Sequence, residues 1–562
     1  MKNRIKYFLK NTQPYVLTIL FILYFSLGII AQDYTLKLTS KNTIENTFLS
    51  KIDFKKEHKD SISIFDELNR IHKLVQVNGY FLSVVDSLVL KQKNYFAFFN
   101  MNQKVDSVIL KQKNFPEEIL RTFNFKQQKI KMPINQLAVF LNKISETFES
   151  KGNSFSKIRL KNITILKKVL YADIAFNASK ERKINKLILK GYENFPSSFI
   201  KNYFNIKEEM VFNKKKLNEI SRLSKSLNFV SEIKAPETLF TKDSTFVYVY
   251  LKKNKGNSFD GLVNLASQEN GKLKFNGYID LKLRNILNKG ERFNLLWNSF
   301  GNERQEFAIA TKIPYIFNSK LSPELNFSIY KQDTTFLNTK FNSNLQYQIK
   351  SNASLFVSFT QENSESLTNV ASQNIETFTS TFLGFGYQYT MPKNDLFRNN
   401  IFFLNINPSF GNRKSENNSF RQIKLEGTIS YLLDISKRSS IYLKNKTGVL
   451  NSENYIQNEL FRIGGNNSIR GFNEQSIFVK DYVIQNIEYR YLLSNDAFIY
   501  SITDLALITT PNTTEKLMGL GIGYLFNTNN AQINISTTLG TDSRNPINFK
   551  NTQLFINWVN FF

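Results

Sequence analysis

The sequence predicts small α+β modules followed by a sixteen-stranded antiparallel transmembrane β-barrel, and three observations lead there. The chain changes character once, near residue 254, from alternating helical and strand patterns to short segments that alternate with period two. Those segments number about sixteen, too many for one sandwich and even in number, as the strands of a closed membrane barrel are. An export-type segment precedes everything else. At 562 residues the chain also exceeds what one hydrophobic core organises, so several domains are expected.

At the N-terminus Lys2, Arg4, Lys6 and Lys10 precede the apolar run Tyr15 to Ile30, which ends in Ala31-Gln32 and then turns polar. Residues 1–31 therefore read as a signal peptide. The alternative is a retained anchor helix, because the run is about as long as a minimal span and Ile29 stands where cleavage prefers alanine. The chain has no cysteine, which excludes disulfides, thiolate metal sites, a thiol nucleophile and a lipid anchor near Ala31. The net charge is +28, but the lysines are scattered and no basic stripe accompanies a nucleic-acid motif. The charge suits a Lys/Asn-rich composition and attraction to anionic lipid head groups, and no nucleic-acid partner is expected.

Up to residue 253 the pattern repeats in units of about 70 residues. The third unit, 182–253, is clearest: strand Ile184 to Lys190, helix Ser197 to Tyr203, helix Lys214 to Leu227, then strands Phe229 to Ile233 and Thr245 to Leu251. In the second helix Leu217, Ile220, Leu223 and Leu227 form one apolar stripe that would cover a small sheet. A second unit spans 114–179, with helix Ile134 to Glu149 and strands Lys157 to Leu160 and Leu170 to Phe176. The first, 33–110, has helix Ile62 to Val77 and strands Tyr80 to Leu90 and Asn94 to Phe99.

Residues 257–562 carry the barrel signal, for example Leu273-Phe275-Gly277-Ile279-Leu281 and Phe307-Ile309-Thr311-Ile313. A soluble sandwich would explain any one such segment. The length of the series, the 14% aromatic content and the export signal favour a barrel, whose strands need only roughly ten tilted residues each. About eleven strands precede the irregular stretch Asn451 to Gln475 and about five follow. The last strand sets Leu554, Ile556, Trp558 and Phe562 on one face and must pair with the first, since an open edge in lipid leaves backbone groups unsatisfied.

Within the irregular stretch lies Gly464-Gly465-Asn466-Asn467-Ser468-Ile469-Arg470-Gly471-Phe472. This segment resembles the sixth-loop motif of the outer-membrane assembly-factor superfamily, which includes the BamA and TamA types and two-partner secretion transporters. The resemblance extends over nearly the whole mature chain: POTRA domains of β-α-α-β-β order, a sixteen-stranded barrel, the long loop after the eleventh strand and a terminal aromatic signal ending at Phe562. It implies that the loop folds into the lumen and that Arg470 meets acidic residues of the inner wall. Glu488, in Asn486-Ile487-Glu488-Tyr489-Arg490, is one implied partner. Asp504 is the other, although Ile502 and Ala506 depart from the Phe-x-Asp-x-Gly pattern. A guanidinium in a partly dry lumen needs carboxylates in bidentate geometry, and Gly471 allows a tight turn beside it; the bland alternative is a solvated loop arginine.

The only histidines, His58 and His72, lie in the first unit at a spacing unsuited to one metal. With none in the barrel, a Ser-His-Asp hydrolase is excluded there. Gly519-Leu520-Gly521-Ile522-Gly523 sits in an alternating strand and reads as tight curvature, not a nucleotide loop. No enzyme activity, cofactor or metal is expected. The implied role is assembly or translocation of proteins at the outer membrane, with the modules in the periplasm. The expected partners are unfolded outer-membrane or secreted chains, outer-membrane lipids, and periplasmic or lipoprotein accessory subunits. A passive pore or structural surface barrel, and a dedicated secretion transporter, are the alternatives.

Overall fold

The computed structural model describes residues 34–112, 121, 129–207, 209–227, 229–267, 273–301, 304–368, 374–393, 395–397, 399–416, 418–543 and 548–562. The expected signal peptide lies outside the described residues. The chain forms two compact units, one running to Arg182 with Val211–Asn213 added, the other Lys183–Met210 with Lys214–Phe562.

The first unit holds two modules. In the first module, strand Tyr34–Ser40 leads through helices Thr43–Leu49 and Ser61–Val77 to the hairpin Val84–Lys91 and Asn94–Asn100. The first strand runs parallel to the last, which carries its antiparallel hairpin partner on the other side. Asp60 starts the long helix by accepting the Ser63 N–H at 2.7 Å. Ile64, Leu68, Ile71 and Val75 then form a stripe buried against Leu36, Ala97 and Phe99. The second module repeats the plan: Ser107–Gln112 runs parallel to Val169–Asn177, whose hairpin partner is Lys157–Leu166, and helix Leu137–Ser150 covers the sheet.

This pairing corrects two expected boundaries. Residues 107–110, assigned from sequence to the first module, open the sheet of the second, and the second module therefore begins before residue 114. A short apolar strand does not reveal its sheet; the parallel partner some sixty positions on does. The first strand and first helix of the first module were also invisible to the pattern, being only seven residues each.

The third module has the same core, Lys186–Lys190 parallel to Thr245–Lys253 with Val230–Phe240 antiparallel at the edge. Ile220 and Leu223 of helix Lys214–Lys225 are buried. This module sits on the barrel within the second unit. The Tyr192 hydroxyl donates to Asn288 Oδ1 at 2.7 Å and accepts from Asn285 Nδ2 at 2.7 Å, both in the turn after the second barrel strand. The Phe199 ring stands edge-on to Tyr315 at 5.0 Å. Gly290, at φ +76°, lies so close to Phe199 that a Cβ would come within 2.1 Å of its ring. Burial pushes the Tyr203 hydroxyl up to about 12, which keeps it protonated beside this contact.

Sixteen strands, from Ser258–Ser267 to Gln553–Phe561, close into an antiparallel barrel. Its alternation is inverted relative to a soluble protein. In the seventh strand, Ala353–Ser366, Leu355, Val357 and Phe359 face outward and exposed, while Ser354 and Ser358 are buried inside. Apolar side chains outside and polar ones inside are what a lipid-facing wall requires. Among the described residues no helix is long and apolar enough to cross a membrane.

Candidate functional site: the lumen loop and the barrel seam

The segment between the eleventh strand (Ser439–Ser452) and the twelfth (Asp481–Leu492) folds into the lumen as a hairpin, Phe461–Ile463 against Ile477–Val479. Beyond the hairpin the backbone turns through left-handed positions at Gly464 (φ +110°) and Gly465 (φ +88°), where side chains are disfavoured. The Ser468 hydroxyl accepts the Gly464 N–H at 3.0 Å and fixes the turn. Ile469 is fully buried in a cluster with Ile463, Val479, Ile484, Ala506, Ile508 and Leu517, so the tip carries a small apolar core of its own against the wall.

Arg470 lies at the tip and is buried. Its Nε and Nη2 donate to the two carboxylate oxygens of Asp504 at 2.8 and 2.6 Å, its backbone N–H donates to the same carboxylate at 2.9 Å, and Nη1 donates to Glu488 Oε1 at 2.6 Å. Glu488 also accepts from Arg490 Nε at 2.9 Å, so two guanidiniums face two carboxylates. Asp504 is completely buried. Burial works against the Arg470 charge, but Asp504 and Glu488 outweigh it and hold its pKa above the ordinary arginine value. Asn486 Nδ2 adds a bond to the Ser468 carbonyl at 2.9 Å. The three charged residues singled out from sequence thus meet in one cluster, with Asp504 contributing despite its atypical neighbours.

Among the glycines of the fourteenth strand (Thr514–Asn527), Gly519 has a role beyond the curvature read from sequence. A Cβ on Gly519 would lie 2.1 Å from the Arg470 carbonyl oxygen, and one on Gly540 of the fifteenth strand 2.3 Å from the Gly471 oxygen. These two positions form a seat that lets the loop backbone approach the wall. Sequence reasoning took the first glycine run as curvature; its spacing gave no sign of a backbone more than forty positions upstream. Gly471 itself, at φ +88°, presses against Gly540.

The tip and hairpin reach other walls too. Gln475 Nε2 donates to Glu306 on the fourth strand at 2.7 Å, Arg462 lies 3.6 Å over the Tyr330 ring of the fifth, and Gln553 of the sixteenth donates to Asn473 at 3.1 Å. The loop therefore crosses the lumen, leaving a polar cavity of about 560 Å³ bordered by Lys340, Lys424, Lys446, Glu306 and Glu426.

The seam where the ring closes is thinly made. Among the described residues the first and sixteenth strands share two residue pairs, Ser258 with Phe561 and Phe259 with Asn560, and the Phe562 N–H donates to the Asn257 carbonyl at 3.1 Å just beyond them. Asp260 adds a side-chain link, accepting from Asn557 Nδ2 across the seam and from the Tyr278 hydroxyl at 2.6 Å on its own side. Leu554, Ile556, Trp558 and Phe562 are all exposed on the outer face of this last strand.

No protein-family model matches the sequence, and no curated protein matches it. Solved structures do match. CdiB from Escherichia coli aligns with a TM-score of 0.52 at 12% identity, covering 88% of this chain and 98% of that one. CdiB from Acinetobacter baumannii aligns with a TM-score of 0.51 at 14% identity, covering 90% and 99%. The chain shares its fold with these two CdiB structures. BamA from Haemophilus ducreyi lacking POTRA domains 1–3 also aligns, with a TM-score of 0.44 at 14% identity over 81% of this chain and 99% of that one.

Proposed function

We propose that this fold serves here as an outer-membrane factor that assists the assembly or translocation of other proteins, with its POTRA-like modules in the periplasm. The observation that carries the reading is the pairing of a filled lumen with a two-pair seam. A passive pore needs an open lumen and a uniformly bonded wall; this barrel has the opposite arrangement. Each module offers a sheet edge to which an unfolded chain can add as a strand, and the seam offers a second such edge at membrane depth. No hydrolysis is required, and we assign no catalytic residue or cofactor. Lipids at the outer face and accessory periplasmic or lipoprotein subunits complete the proposed partners.

A second reading is a dedicated secretion transporter: the loop motif resembles that type as well, and the two CdiB structures align over nearly their whole length. Depletion in the native cell followed by outer-membrane and secreted proteomics separates the two. Loss of many barrel proteins is expected for an assembly factor, and loss of one exported protein for a dedicated transporter. An unchanged proteome would reject both.

A further inference from the structure

The loop is attached to the wall long before its tip. On its way into the lumen it makes a short turn, Gln457–Glu459, in which Ile456, Asn458 and Glu459 are buried. Asn458 Nδ2 donates to Ser364 Oγ on the seventh strand at 2.6 Å, and the Asn458 carbonyl accepts from Asn338 of the sixth at 2.7 Å. The Glu459 carboxylate accepts from Arg413 Nη1 on the ninth strand (Asn400–Ser415) and, at 2.7 Å, from Gln422 Nε2 on the tenth (Asn418–Asp434). It also accepts the Ile456 N–H at 3.1 Å, which shapes the turn.

Arg413 has no solvent exposure at all. Its guanidinium lies 4.8 Å over the Phe420 ring, and its Nε and Nη2 meet no acceptor among the described residues. Among those residues Glu459 is its one ion-pair partner. A buried cation with a single counter-charge depends on that counter-charge staying in place. Glu459 belongs to the loop and Arg413 to the wall, so the loop cannot leave this position without stranding a charge on each side. The strands involved, six to ten, are separate from the twelfth to fifteenth that receive Arg470 and its neighbours.

We propose that Arg413 and Glu459 form a second lock on the lumen loop, independent of Arg470, so that the loop is fixed to the wall at the start of its inward course as well as at its tip. Arg413 is thus a positioning residue for the plug. Breaking either lock frees the part of the loop it holds and opens the lumen in part, whereas displacing the whole loop requires both to break.

The test is ion conductance of the purified full-length protein in planar bilayers, with Arg470 intact and barrel folding verified by heat-modifiable gel migration. Arg413→Glu and Glu459→Arg should each raise the mean conductance several-fold, because each places like charges face to face. Combining the two reversals should bring conductance back close to the unsubstituted level, a rescue that a general loss of packing would not give. Should either reversal fail to fold, Glu459→Gln keeps the size and the neutral hydrogen bonds while removing the counter-charge, and should also raise conductance. Unchanged conductance in Glu459→Gln and in the folded single reversals would overturn the proposal, as would a double reversal as leaky as the single ones. The readout does not depend on which protein chain the barrel handles.

Discussion

The loop tip and the seam are built in opposite ways on nearly adjacent parts of one ring. At the tip, one guanidinium and its backbone N–H make four hydrogen bonds to two buried carboxylates, and Ile469 brings an apolar core with it. At the seam two residue pairs hold strands whose other neighbours are fully laddered, ten pairs between the first and second strands and eight between the fifteenth and sixteenth. Unpaired backbone in hydrocarbon costs several kcal/mol per group in principle, so a thin seam is not neutral. The barrel concentrates its specific bonding between loop and wall and leaves its closure as the place where the ring parts most easily. Through Gln553 and Asn473 the loop even touches the sixteenth strand, so the strongest and weakest regions share a border.

The largest expected effect comes from removing the weakness. Phe259 and Asn560 face each other in the antiparallel register, a geometry whose Cα spacing suits a disulfide, and the chain has no other cysteine to interfere. Oxidised Phe259→Cys/Asn560→Cys protein should lose its function in the native cell and regain it on reduction. Full function in the crosslinked form would mean that the seam stays shut in normal work. Next comes the strength at the tip. Arg470→Ala leaves Asp504 buried without its fork, a loss of about 3–5 kcal/mol for a broken buried pair. The barrel should then unfold at lower temperature in SDS, with residues 461–480 newly open to trypsin. An unchanged midpoint and intact loop would show that the apolar cluster alone holds the tip. Arg470→Lys should fall between, since a point charge cannot replace the bidentate contact. The glycine seat gives a smaller effect. Gly519→Val should displace the Arg470 carbonyl and destabilise the folded barrel by about 1–3 kcal/mol. Gly427→Ala is the control, with nothing within 4 Å of the added methyl, and should leave the gel midpoint unchanged.

The contrast between tip and seam was only half legible in the sequence. Arg470 could be found because glycines at fixed offsets and a guanidinium form a local pattern, and Glu488 and Asp504 because the strand segments around them resemble the acidic motifs that accompany that loop in the superfamily. The barrel itself followed from period-two alternation sustained over many segments. The seat at Gly519 and Gly540 was not legible, because a missing side chain does not state what fills the space. Arg413 and Glu459 were missed for a related reason. In Asn412-Arg413-Lys414-Ser415-Glu416 the arginine reads as one more charge at a polar strand end, and its counter-charge lies forty-six positions on, in a loop with no motif around it. The sheet that owns Ser107–Gln112 and the thinness of the seam are likewise properties of pairing, which no single segment encodes.

The smallest effect tests whether side chains matter at the seam at all. Besides its backbone bonds, the seam has the side-chain link of the Asn557 amide to the Asp260 carboxylate, and Asp260 keeps the Tyr278 hydroxyl at 2.6 Å as a second donor. Asn557→Ala should therefore cost only about 1 kcal/mol, the net value of one hydrogen bond whose acceptor remains partly satisfied. That is too little to unfold the barrel but enough to raise local opening of the last strand several-fold. Hydrogen exchange should quicken for the amides of residues 553–560 and stay unchanged for those of 469–472, where Arg470 and Ile469 hold the loop. Equal quickening at both places would mean that seam and tip open as one cooperative unit. No change at either would mean that backbone bonds alone hold the seam.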